Sequence, residues 1–176
     1  MKSLGLLVLV SLACACGGGG DSELAALAGF YQTTKHTLNE EGCEAEGPDV
    51  DGMPYFELVL EDLLGTSYLA FGSCDSADQS SCSSGGIFNS WLNIDGAILH
   101  EIQASSFSGE TGPCNMSITQ GVLSAVGDSV SMRKRTYREE DDTLTEEQCN
   151  LDEAEARGTS MPCTRYEIIE GTRLSE

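Results

Sequence analysis

Polar and apolar positions alternate with period two through much of this chain. In residues 55–61, Phe56, Leu58 and Leu60 take one side and Glu57 and Glu61 the other, as in a strand with one face on a core and one toward water. Residues 30–38 are rich in β-branched and aromatic side chains and poor in helix formers, which favours a long strand. Gly65-Thr66 turns the chain into a short strand over 67–72 that carries Tyr68, Leu69 and Phe71. Segments 87–95 and 97–105 flank Asp95-Gly96, a pair that accepts the positive φ angles of a tight hairpin turn. The implied register sets Leu92 opposite Leu99, Ile94 opposite Ala97 and Trp91 opposite His100. A second hairpin joins 115–126 to 129–139 around Gly127-Asp128, with Gly121 expected as a bulge where the inward face switches. Residues 163–174 alternate around Tyr166, Ile168 and Leu174 and close the series.

Two stretches depart from this period. Residues 21–28 read as a short helix with Ser22 as N-cap and Gly29 as its stop. Thr143 and Glu146 form a capping box, which predicts a helix to Arg157 ending at Gly158, with Leu144, Cys149, Leu151 and Ala156 on its inner face. Polar loops are expected over 39–54, 73–86 and 106–113. The count is about eight strands with one short helix before the last, so the class is mainly β. An antiparallel up-and-down barrel is the first choice, because consecutive hairpins favour a meander and closure removes exposed strand edges. A β-sandwich is the alternative.

The first twenty residues, MKSLGLLVLVSLACACGGGG, follow another rule. Lys2 precedes an apolar run over 4–12 that is shorter than the roughly 20 residues a membrane-spanning helix needs, which marks a signal peptide. Small residues and cysteine then follow as Ala13-Cys14-Ala15-Cys16. Charge, apolar run, small residue and cysteine in this order resemble the lipobox of bacterial lipoprotein precursors, over these twenty residues alone. The resemblance implies a diacylglyceryl group on the cysteine thiol, cleavage just before it, and acylation of the new amino terminus, as with palmitate. Cleavage before Cys16 leaves six further cysteines, an even set that suits an oxidising compartment, whereas cleavage before Cys14 leaves Cys16 as an odd thiol. The expected layout is a signal peptide over 1–15, a lipidated Cys16 with a glycine tether over 16–21, and one β domain over 22–176, with Cys14 as the alternative anchor. Gly17 follows the anchor where aspartate would imply retention at the inner membrane. By the same resemblance the protein belongs to the bacterial cell envelope, at the outer membrane rather than the inner.

Charge narrows the partners. Lys and Arg number 9 against 29 Asp and Glu, and loss of Lys2 with the signal peptide takes the net charge from −20 to −21. Phosphate binding rests on concentrated positive charge, so nucleic acid is not expected, while 40% hydrophobic residues argue for a folded core. Arg133, Lys134, Arg135 and Arg138 gather half of the mature basic residues, and alternation sends Lys134 to one face and Arg133 with Arg135 to the other. They serve either an anion or the acidic run 139–142 that follows. Asp49-Val50-Asp51-Gly52 fails as a calcium loop, because Gly47 and Leu58 stand where the pattern needs carboxylates.

The candidate disulfide cysteines are Cys43, Cys74, Cys82, Cys114, Cys149 and Cys163. Cys74 with Cys82 closes a local loop and Cys149 with Cys163 staples the helix to the last strand, which leaves Cys43 with Cys114. No G-x-S-x-G, H-E-x-x-H or C-x-x-C motif occurs, and His36 and His100 are the two imidazoles, so neither an enzyme nor a cofactor is expected.

The short helix, then Gly29-Phe30-Tyr31 and a long first strand, resemble the opening of lipocalin-like barrels, with tyrosine where that family has tryptophan. The resemblance implies a barrel whose mouth holds a small molecule, with Tyr31, Tyr68 and Trp91 as lining residues. Two functional readings follow. One is a membrane-anchored, monomeric binding module; the other is a structural or interaction protein of the envelope that meets a protein partner and holds no small ligand.

Overall fold

A computed structural model describes residues 20–84, 86–107 and 112–174. The signal segment, Cys14, Cys16 and Gly17 to Gly19 lie outside the described residues. In chain order the described elements are α1 (Gly20–Leu27), β1 (Gly29–Asn39), β2 (Tyr55–Leu63), β3 (Thr66–Cys74), β4 (Cys82–Ser84), β5 (Ser90–Ile94), β6 (Ala97–Phe107), β7 (Cys114–Val126), β8 (Ser129–Asp141), α2 (Leu151–Arg157) and β9 (Cys163–Arg173). Eight strands pair antiparallel in a meander, and β9 returns to β1, so the sheet closes as an up-and-down barrel. The short β4 pairs with the end of β3 and lies outside the closed ring. A single sheet that closes on itself sets the sandwich alternative aside.

The two ends of the barrel differ. At the base, tight turns join the strands, with positive φ at Leu64 and Gly65, Asp95 and Gly96, and Gly127. There Leu24 of α1 enters a core with Tyr31, Phe56, Leu69, Trp91 and Met132. The opposite end carries the long connections, including α2. Arg157 fastens α2 to β8, 3.1 Å from Glu139 and 2.7 Å from Asp141. The Thr143 hydroxyl and backbone N–H, with Arg157, hold the Asp141 carboxyl down to about 2.

Several expectations change in detail. The β5–β6 register sets Leu92 against Leu99 and Ile94 against Ala97 as expected, but β5 starts at Ser90 because a 3-10 turn occupies Gly86–Asn89. Gly121 is no bulge, since both registers run through it unbroken. A Cβ there would stand 2.9 Å from Trp91 Cη2, so glycine makes room for the indole. Burial changes face along β7 because α2 covers its outer side at one end, where Cys114, Met116 and Ile118 pack on Ala154 and Met161, while Leu123 faces the barrel core at the other.

The second helix begins seven residues later than the capping box at Thr143 predicts. Asn150 caps it, its side chain accepting from Glu153 N–H, and Thr143 instead donates to Asp141. The first helix begins at Gly20, so Ser22 lies within it. The disulfides join Cys74 to Cys82 as expected, but Cys43 to Cys163 and Cys114 to Cys149. The β1–β9 pairing carries Cys43 to the start of β9, and Cys149, outside the helix, reaches the start of β7.

Candidate functional site

Above the apolar base the barrel interior turns polar. Alternation on β8 points Met132, Lys134 and Thr136 inward, and Arg133 and Arg135 outward. Register then assembles a cluster around Lys134. Glu167 of β9 pairs with it across one seam. Across the other, Gly121 pairs with Lys134 and, on its far side, with His100. Closure of β9 on β1 adds His36, whose Nε2 lies 3.1 Å from Glu167 Oε1.

Lys134 is 9% exposed. Its ammonium sits over the rings of Phe71 and Trp91, 5.2 and 5.7 Å from their centroids. Glu167 Oε2 lies 4.0 Å away, beyond hydrogen-bonding distance, and Arg165 stands 3.7 Å from Glu167 Oε1. Burial pushes the Lys134 ammonium below its ordinary value, against the pull of Glu167. His100 is packed 5.2 Å from Trp91, ring to ring. Its Nδ1 lies 2.8 Å from the Ser90 carbonyl oxygen, which can only accept, so Nδ1 donates and Nε2 keeps its lone pair. Burial, and then Lys134, lower His100 to about 4, and the ring is neutral at pH 7.

Lys134, Glu167 and His100 line a cavity of about 220 Å³ inside the barrel, with Asn89, Ile102, Thr119, Thr136 and Arg165 completing its wall. The Thr119 and Thr136 hydroxyls share one hydrogen bond of 2.9 Å. Trp91 Nε1, His36 Nδ1, Thr33 Oγ1 and Thr37 Oγ1 are buried without a hydrogen-bond partner among the described residues. Among the described residues no three His, Cys, Asp or Glu side chains are placed to hold a metal ion.

A second concavity, of about 700 Å³, runs over the outer face of the sheet across β5 to β9. Leu92, Ile94, Leu99 and Val122 supply its apolar part and Arg133 and Arg135 its charge, with Arg135 stacked 4.9 Å from the Tyr166 ring.

The expected lining residues separate. Trp91 packs against His100 and near the Lys134 ammonium, within the cluster but not on the wall of either cavity. Tyr31 is buried in the base, stacked 5.1 Å from Phe56, its hydroxyl donating to Leu27 O and accepting from Arg173. Tyr68 donates to Glu61, and neither tyrosine borders the two cavities. Glu167, Arg165 and the threonine pair escaped the sequence reading, because closure of the barrel alone brings β9 beside β8 and β1. Comparison with known protein families, with curated proteins and with solved structures gives no match.

Proposed function

We propose that this protein is a membrane-anchored binding module that holds a small polar molecule in the upper interior of its barrel. The observation that carries the reading is a buried ammonium on the wall of an interior cavity. Taking charges out of water is expensive, and packing alone would be served better by apolar side chains, as at the base. A cavity lined by charge, hydroxyl and imidazole groups suits a ligand that needs orientation. The anchor rests on Cys16, with Cys14 as the alternative, and places the barrel in the bacterial envelope, at the outer membrane; the reading includes no catalytic step.

The test is the native mass of the processed protein against its denatured mass. A copurified small molecule that leaves on denaturation supports the module. Equal masses move the weight to an envelope interaction protein, a reading favoured by the exposed Ile94 and Val122 in the outer groove. Labelling with palmitate tests the anchor: Cys16→Ser should abolish incorporation and Cys14→Ser should leave it. The reverse result assigns the anchor to Cys14.

A further inference from the structure

We infer that the interior site takes a small organic monocarboxylate, held by Lys134 and Arg165 and oriented by a hydroxyl or amine group on the same molecule. This rests on the small-molecule reading above and adds its chemical class.

Charge comes first. Lys134 and Arg165 bring two positive charges to the cavity, Glu167 brings one negative, and His100 is neutral at pH 7. Lys134 and Glu167 offset each other inside and the surplus sits on the exposed Arg165 at the rim, so a monoanion balances the site and a dianion overshoots. Hydrogen bonding agrees. The Lys134 ammonium has three N–H groups and makes no hydrogen bond to any described residue, with its nearest carboxylate oxygen 4.0 Å away. Arg165 is partly exposed at the rim, 3.7 Å from Glu167, and retains free N–H groups. Of the two hydroxyl protons on Thr119 and Thr136, their mutual bond uses one; the other is left to donate. The site therefore presents donors to an anionic oxygen from three residues or more.

One group asks for the opposite. His100 Nε2 is an acceptor, because Nδ1 is committed to Ser90. A ligand that satisfies both sides carries a carboxylate and, a few bonds away, a hydroxyl or amine hydrogen. Size sets the rest. At roughly 30 Å³ per water, about 220 Å³ holds on the order of seven waters, or an organic acid of comparable size. Ile102 supplies an apolar side for its carbon atoms.

Trp91, the chain's single tryptophan, makes the test direct. The processed protein in detergent is titrated, by tryptophan emission and by calorimetry, with monocarboxylates of lactate size upward. Each is paired with its neutral amide and with an amine of the same shape, as lactate with lactamide and 1-amino-2-propanol. The carboxylates should bind saturably, and roughly ten- to hundredfold tighter than their amides, the range expected for hydrogen bonds to a charged group. Lys134→Met should remove that preference while circular dichroism stays unchanged. Thr119→Val, which keeps the shape of the wall, provides a second and milder loss if the first variant does not fold.

Equal or tighter binding of the amides or amines would overturn the carboxylate class and leave the binding module standing. Competition by equimolar chloride or phosphate would equally overturn it in favour of a general anion site. No binding by any member, with equal native and denatured masses, would sink both readings.

Discussion

The base and the loop end of the barrel are built on the same eight strands and held together by different means. At the base the interior is filled by Leu24, Tyr31, Phe56, Leu58, Leu69 and Trp91, each no more than 1% exposed, with Tyr31 and Phe56 stacked and Phe71 tilted against them. One layer higher the same alternation delivers His36, His100, Lys134 and Glu167. A polar interior cannot supply the burial that stabilises the base. Cross-links and outer packing take over there: all three disulfides lie at the loop end, and α2 presses its own small core against the outside of β7. Keeping part of a barrel interior polar moves the burden of stability to its rim and outer wall.

The difference is open to direct attack. Phe56→Ala should be the most damaging single change, with a loss of about 3 to 5 kcal/mol in denaturant unfolding, the range for truncating a buried aromatic. A loss below about 1 kcal/mol would mean that the base is less tightly packed than its burial indicates. Next in size is an effect of pH at the polar layer. His100 titrates near 4 in the folded protein and near 6.5 unfolded. Between those values the unfolded chain holds a proton that the folded chain does not, so stability falls as pH drops from about 6.5 to about 4. The contribution reaches about 3 kcal/mol, and below pH 4 it falls no further. Unfolding curves of the wild type and of His100→Gln should diverge across that window, and parallel curves would show that the ring is not buried as a neutral base.

The cross-links at the loop end should rank by the length of chain they close. Cys43–Cys163 spans 120 residues and Cys74–Cys82 spans 8. Loop entropy then makes replacing the first pair by serine costlier by about 2 kcal/mol. Equal losses would point to residual structure in the unfolded chain. Here the limits of the sequence show plainly. Period-two alternation and Asp95-Gly96 gave the strands and a hairpin register that the structure reproduces, and the split of Lys134 from Arg133 and Arg135 was legible from parity. The side facing inward was not, because β7 is buried on both faces in different halves. Nor were the pairs Cys43–Cys163 and His36 with Glu167, 131 positions apart in the chain, since each depends on β9 closing against β1. Thr143 and Asn150 both offer caps, and Asn150 holds the observed one, directly before the Asp152 and Glu153 that favour a helix start.

The smallest effect is the most informative, because its sign separates the two halves. At the base, every truncation of a buried side chain should destabilise. At the polar layer, Lys134→Met removes a buried charge and puts an apolar chain of similar length between Phe71 and Trp91, while Glu167 keeps His36 and Arg165 beside it. Removing one member of a close buried pair is costly because its partner is left uncompensated, whereas exchanging the whole pair for apolar residues is often neutral or stabilising. Lys134 is a loose member, 4.0 Å from a Glu167 that retains two other partners, so the free protein should gain about 1 kcal/mol. A side chain whose removal stabilises the free barrel while abolishing carboxylate binding is kept for the ligand. A marked loss of stability in Lys134→Met would instead give the ammonium a structural role over the two rings, and the polar layer would then belong to the core that it tops.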